Sequence, residues 1–255
     1  MKGEQHMEHI NKDLLDRFWQ EQQESLVRLG EVGAEKYFMS VENLAKAFEL
    51  RDRCLRCIDE GTEGGVHMAG SGILNKEAAV ELVQEAGVEG IYSHAGCGAA
   101  ALYAKQAGLE VNADDLGIDW AKELAQKVGV PYQGHIGYED MVRPAEFHIA
   151  RLAYYDSTGT FDPSRIAGLP AGFVISRRYL SGDYAQKEAE IATAIALGEH
   201  GFGEKITAEA PFYLVAIGDA KGDGLSKEAL VEELSAIAKT NKGRVIAAGF
   251  TAPLG

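Results

Sequence analysis

Between Asn75 and Gly129 the sequence changes period repeatedly, and most changes are marked by a glycine. "NKEAAVELVQEAG" carries apolar residues at helical spacing between a capping Asn75 and a stop at Gly87. "GIYSHAG" is an apolar run of strand length, "CGAAALYAKQAG" returns to helical composition as far as Gly108, and "DDLGIDWAKELAQKVG" gives another helix ending at Gly129. Upstream, "CLRCI" reads as a strand and "VHMAGSGI" as a strand running into a glycine-rich turn. Strand and helix alternating at this spacing leave few solutions, because parallel neighbours need a long crossover and that crossover is right-handed. The expected fold class is α/β, a mostly parallel central sheet flanked by helices.

The second half alternates less regularly. "EFHIARLAYYD", "AGFVISRRY", "FYLVAIGDA" and "RVIAAGF" read as strands; "DYAQKEAEIATAIALGEHG" and "SKEALVEELSAIAKT" read as helices. Ahead of all this, helical spacing from Lys12 to about Leu29 and a second helix in "SVENLAKAFEL", capped by Ser40, predict a helical N-terminal extension over residues 1–50. No repeat, low-complexity tract or Pro/Gly/Ser-rich linker divides residues 51–255, which are expected to form a single α/β domain.

Composition excludes several classes. A formal charge of −14 disfavours nucleic acid and anionic lipid as partners, since both are held by clustered Lys and Arg. No apolar run approaches the ~20 residues of a membrane span. "MKGEQHMEHINKD" lacks the apolar core of a secretory signal, so a cytoplasmic location is expected.

Three cysteines, Cys54, Cys57 and Cys97, are too few for a disulfide framework. Cys57 and Asp59 make a C-x-D unit at the end of one strand, and His94 and Cys97 make H-x-x-C at the end of another. Parallel strands deliver their C-terminal ends into a common crevice, so two thiolates and an imidazole can converge there. Zn²⁺ accepts such a set tetrahedrally, and three protein ligands leave a fourth position open. Cys97 also opens a helix, where the macrodipole favours a thiolate, and Gly96 and Gly98 beside it leave room for a metal and a small ligand. Cys54 reads as core, because positions three apart on a strand do not share a face with Cys57. His67 stands between a partner of the site and a structural residue; His135, His148 and His200 read as structural. "GDAKGDG", Gly218 to Gly224, lacks the spacing of a phosphate loop and reads as a surface turn.

Taken together, C-x-D (Cys57, Asp59) and H-x-x-C-G (His94, Cys97, Gly98) resemble the zinc motif of β-type carbonic anhydrases. "CIDEGT", "HMAGSGI" and "SHAGCGAA" are similar to the limiting-CO2-inducible B family, a divergent group with that fold and with kinship to cadmium-type enzymes. The motif match spans Cys57 to about Lys105, with a weaker likeness in "GFVISRRY" and "ALGEHGFGEKI". The resemblance implies a β-carbonic anhydrase-like fold with residues 51–255 as the metal-binding domain. It implies Zn²⁺, replaceable by Cd²⁺ or another soft divalent ion, on Cys57, His94 and Cys97. It further implies hydration of CO2 to bicarbonate by a metal-bound hydroxide that Asp59 orients, and a homodimer in which the N-terminal helices pack on the neighbouring subunit.

One departure stands out. The resembled enzymes carry an arginine two positions after the aspartate, and this chain has Gly61. Arg53, Arg56 or His67 are candidate replacements. An unpaired Asp59 could instead swing onto the metal, giving an inactive zinc-binding relative with a structural or bicarbonate-binding role. A third reading is an unrelated thiol enzyme with Cys97 as nucleophile and His94 as base.

Overall fold

A computed structural model describes residues 11–220 and 224–253. It is an α/β fold with two four-stranded sheets flanked by helices, every strand pairing parallel. The first sheet has the order β2-β1-β3-β4, with β1 Cys54–Arg56, β2 Val66–His67, β3 Gly90–His94 and β4 Tyr132–Ile136. The second has the order β6-β5-β7-β8, with β5 Leu152–Asp156, β6 Gly172–Ile175, β7 Phe212–Gly218 and β8 Val245–Thr251.

The single central sheet expected from the sequence is thus divided, and the reason is local. β2 contributes two residues before the chain turns through Gly70, Ser71 and Gly72, all at positive φ. It is too short to ladder with β6. The sheets still meet edge to edge, through Val174 N–H to the Ile58 carbonyl (3.0 Å), Ser176 N–H to the His67 carbonyl (3.2 Å) and His67 N–H to Ser176 Oγ (2.9 Å).

Helices α3 Lys76–Ala86, α4 Gly98–Ala107 and α5 Ala113–Val128 fall where caps and glycines place them, with Asn75 accepting from Ala78 N–H and left-handed Gly87, Gly108 and Gly129 at the ends. The strand expected from Glu146 begins only at Leu152. The edge strand β4 has a polar, glycine-containing sequence with no strand pattern to reveal it.

α1 runs Lys12–Val32 and stops at Gly33, where a short α2, Ala34–Met39, begins. The helix expected from Ser40 is reduced to a 3-10 turn, Leu44–Phe48, because Asn43 takes a left-handed φ of 59°. Ser40 ends α2 instead of starting a helix, its hydroxyl donating to the Tyr37 carbonyl at 2.7 Å. The reading of Gly218–Gly224 as a turn falls partly on residues 221–223, outside the described residues.

One face of both sheets shares a core with the helices: Leu55 and Ile91 meet Leu82, Trp120 and Leu124, and Tyr155, Phe173 and Leu214 meet Ala189, Leu230 and Leu234. The last three lie on α6 Gly182–Leu197 and α7 Lys227–Thr240. The opposite face of the second sheet is covered by Leu26, Leu29 and Phe38 of α1 and α2. The N-terminal helices therefore pack on a sheet of their own chain. Gln22 of α1 is buried and bridges the Ile149 carbonyl (2.8 Å) and Ala171 N–H (2.9 Å), while Arg151 lays its guanidinium 3.4 Å from the centre of the Trp19 ring. No helix among the described residues is long and apolar enough to cross a membrane.

Phe38 is fully buried and stacks on Phe250 with ring centroids 4.3 Å apart. Phe38→Ala should cost about 3–5 kcal/mol of unfolding free energy, read by urea denaturation; a loss below about 1 kcal/mol would show that α2 is not part of the folded core.

Candidate metal centre

β1 and β3 are parallel neighbours in register at Leu55 and Ile91, so their C-terminal ends lie side by side. Cys57 follows the end of β1, His94 is the last residue of β3, and Cys97 is the N-cap of α4 after a turn at Gly96. All three are buried, at 6 %, 2 % and 4 % exposure, and one donor atom from each lies within 4.8 Å of the others. The turn after β2 closes over them. Gly70 N–H donates to Cys57 Sγ at 3.1 Å, and a side chain at Gly70 would come within 2.9 Å of the Ala99 Cβ and 3.4 Å of Cys97 Sγ.

This buried Cys-His-Cys group fits a metal ion. His94 Nδ1 donates to the Ala95 carbonyl at 2.9 Å, which leaves the lone pair on Nε2, and that atom is buried with no hydrogen-bond partner among the described residues. Such an orphan is costly unless something binds it. The Cys97 thiol is held below its usual pKa, first by a hydrogen bond with Cys57 and then by Ala100 and Ala99 N–H at the start of α4, with burial opposing. Two soft sulfurs and an imidazole suit zinc or a similar soft ion. Cys54 lies outside the group; burial lifts its thiol pKa to about 11.

Asp59 sits beside the centre with an unexpected partner. Arg143, 84 residues further on, grips it in a fork: Nε to Oδ1 at 2.7 Å and Nη2 to Oδ2 at 2.8 Å. Gly61 N–H adds a bond to Oδ1 at 2.8 Å. Burial alone would raise the Asp59 pKa, but positive charge on His94 while that ring is protonated, and the bonds and charge of Arg143 in either state, hold it well below the usual carboxylate range. None of the candidate replacements named from the sequence fills this role. Arg53 bonds the Ala86 carbonyl, Arg56 pairs with Asp52, and His67 bonds the Cys57 carbonyl at 2.6 Å. The glycine at 61 has its explanation here: a Cβ would come within 2.9 Å of Arg143 Cγ and 2.5 Å of the Met141 methyl. The residue that lacks the arginine leaves the space through which another arginine enters.

The structure brings in two further residues and distributes the rest. His148, read from the sequence as structural, places Nδ1 2.9 Å from Glu60 Oε2 and 3.9 Å from Asp59 Oδ2. Glu60 in turn accepts from Ile149 N–H (2.6 Å) and Ala150 N–H (3.2 Å), which is why residues 147–150 do not continue β5 backwards. Asp59, Glu60 and His148 lie close enough for a second cation, but Arg143 already supplies the positive charge. Gly98 lines a narrow crevice with Cys57, Asp59 and His148; Gly96 lies instead against Tyr138, and His67 supports the Cys57 backbone from behind, its pKa pushed down to about 4 by burial. His135 bonds Ser93 Oγ at 2.9 Å, and His200 offers its carbonyl to His148 N–H. Arg143 and Glu60 carry no local sequence signal, because each is defined only by a partner more than eighty residues away.

Compared with protein-family models, with curated proteins and with solved structures, the chain gives no match.

Two measurements check the centre. Metal analysis of zinc-reconstituted protein should give about one ion per chain, lost in Cys97→Ser and kept in Cys54→Ser; retention by Cys97→Ser would dismiss this ligand set. Glu188 on α6 is fully buried, accepts from Ala69 N–H at 2.8 Å, and leaves Oε2 without a partner among the described residues. Burial pushes its pKa up to about 8. An acid whose folded pKa is raised is favoured in its protonated form, so its contribution is intact below about pH 4.5 and is lost as pH rises through about 8. Glu188→Gln should therefore match wild type in stability near pH 4 and exceed it progressively toward pH 8, by about 1.4 kcal/mol per unit over that window. A stability difference independent of pH would refute this.

Proposed function

We propose that the chain is a zinc-dependent carbonic anhydrase that interconverts CO2 and bicarbonate at Cys57, His94 and Cys97. The observation that carries the reading is the buried Asp59–Arg143 fork beside that centre. Zinc held by three protein donors keeps a fourth position for water and lowers the pKa of that water from 15.7 to ~7. The chain's own residues then have to orient the water and admit the gas.

Asp59 suits the first task. Oδ1 is occupied twice, by Gly61 N–H and Arg143 Nε, whereas Oδ2 takes one bond from Arg143 and keeps an accepting lone pair. Its nearest histidine nitrogens, on His94 and His148, are 3.9 Å away, beyond hydrogen-bond range. The free lone pair of Oδ2 would accept a hydrogen bond from the attacking water and fix its direction. Arg143 keeps the acceptor ionised and still. For the second task, Ile58, Ala99, Phe173, Ile191 and Ile195 line the crevice with apolar surface, which suits an uncharged, weakly hydrated substrate such as CO2.

The inactive alternative requires Asp59 to leave Arg143 and cap the metal. Breaking a buried, doubly hydrogen-bonded ion pair costs about 3–5 kcal/mol, so the fork weighs against it. The resemblance of C-x-D and H-x-x-C-G to β-type carbonic anhydrases supports the same choice and, by analogy, a cytoplasmic homodimer.

Stopped-flow CO2 hydration on zinc-loaded protein between about pH 7 and 9 decides the matter. Wild type should be active, and Asp59→Asn and Arg143→Gln should each lose about 10–100-fold in kcat/KM while retaining zinc. Zinc-replete wild type with no activity would sink the enzyme and leave the capped, inert centre.

A further inference from the structure

Two unfavourable features meet at the turn that follows β2. Ser71 is buried and holds a left-handed backbone, φ 52° and ψ 33°, directly after Gly70 at φ 57° and ψ 34°. A residue with a side chain is uncommon there, because Cβ crowds the following carbonyl. Beside the turn, Glu188 is fully buried with Oε1 on Ala69 N–H and Oε2 without a partner among the described residues. Strained backbone and half-satisfied buried groups persist where the surroundings enforce them.

Three elements enforce this turn. α6 reaches it through Glu188, 2.8 Å from Ala69 N–H. α5 reaches it through Trp120, whose Nε1–H donates to the Ser71 carbonyl at 3.0 Å, and β3 accepts the Ser71 hydroxyl on the Tyr92 carbonyl at 2.8 Å. A side chain at Gly72, φ 87°, would run into Ala79. What the turn delivers is the next amide after Ala69: Gly70 N–H donates to Cys57 Sγ at 3.1 Å. Consecutive amides thus have different tasks, one tying the turn to α6 and the other bonding a sulfur of the centre.

We propose that Glu188 is a positioning residue of the metal centre: by fixing Ala69 it aims Gly70 N–H at Cys57 Sγ and so sets how much charge that sulfur gives to a bound soft divalent ion. The inference rests on Cys57, His94 and Cys97 holding the ion, and not on the reaction that follows. An N–H donated to a thiolate draws electron density from it and fixes its direction, and groups that orient ligands in this way change metal affinity by about 10–100-fold. The two sulfurs differ in what they need. The N–H groups at Cys97 belong to α4 and are held by that helix, whereas the one at Cys57 comes from a turn and depends on a tether. His67 Nδ1, 2.6 Å from the Cys57 carbonyl, steadies the same residue at its backbone.

Cobalt(II) in place of zinc reads thiolate donation in the full chain, through its charge-transfer band. Burial pushes the Glu188 pKa up to about 8, so at about pH 7 the carboxyl is chiefly neutral and glutamine is its close mimic. Glu188→Gln keeps an oxygen for Ala69 N–H and should leave the band in place and the zinc Kd, measured by chelator competition, within about twofold of wild type. Glu188→Leu removes the acceptor; it should move the band to longer wavelength and raise the zinc Kd about tenfold or more. Trp120→Phe, which releases the turn from α5 without touching α6, should move both in the same direction. In ¹⁵N-labelled, cadmium-loaded protein the Gly70 amide proton should shift upfield in Glu188→Leu and stay in Glu188→Gln. An unchanged band and Kd in Glu188→Leu, or in Trp120→Phe should the leucine variant not fold, would overturn the positioning role, as would a glutamine variant disturbed as much as the leucine one. Wild type that takes up neither cobalt nor zinc would instead remove the ligand set beneath it, and absence of CO2 hydration touches neither.

Discussion

A carboxylate at 3 % exposure stays charged inside a protein only if other groups replace the water it has lost. Asp59 obtains three hydrogen bonds and a full positive charge from Arg143 and Gly61. Without that arrangement it would be neutral or drawn to the nearest cation. The polar side of the site is built outward from this pair. His94 and His148 are each 3.9 Å from Asp59 Oδ2, Glu60 holds His148 in place, and the backbone of 149–150 folds inward to satisfy Glu60. Remove the ion pair and several buried groups lose their reason for being where they are.

The division of the sheet makes room for this. An unbroken ladder from β1 through β2 to β6 would fill the space beyond Cys57 with regular backbone. Instead β2 ends after His67, the chain turns at Gly70 to Gly72, and the two sheets touch through a few bonds at Ile58, His67, Val174 and Ser176. Cys57 and Asp59 lie at this seam, with the first sheet supplying His94 and Cys97, and the approach to the second supplying His148. The crevice runs between the α4 start and Phe173 of β6 because neither sheet covers the seam alone.

Much of the first sheet was legible because its signals are local. Asn75, Gly87, Gly108 and Gly129 start or stop helices within a few residues of themselves, and metal donors at strand ends must be of a few chemical types. The coming together of Cys57, His94 and Cys97 follows from strand order, which the alternation implies. What escaped detection was non-local or unpatterned. β4 is an edge strand whose composition resembles a loop, and the break after β2 depends on how few residues that strand contributes. Arg143 and His148 have roles only through partners 84 and 88 residues away, and no spacing rule reaches that far. Gly61 was read as a loss, since its use depends on a side chain from another part of the chain.

That distance affects the order in which the parts arrive. The metal donors span residues 57 to 97, whereas Asp59 must wait for residue 143, another forty-six positions along the chain. Closing an 84-residue loop in place of a two-residue one adds about 3 kcal/mol of chain entropy by simple scaling, and later contacts have to offset it. Because synthesis runs from the N-terminus, a nascent chain passes through a stage in which all three donors exist and the carboxylate is still unpaired. During that interval Asp59 is a carboxylate without its counter-charge beside three donors that could already gather a cation, and the docking of Arg143 is what takes it out of that competition.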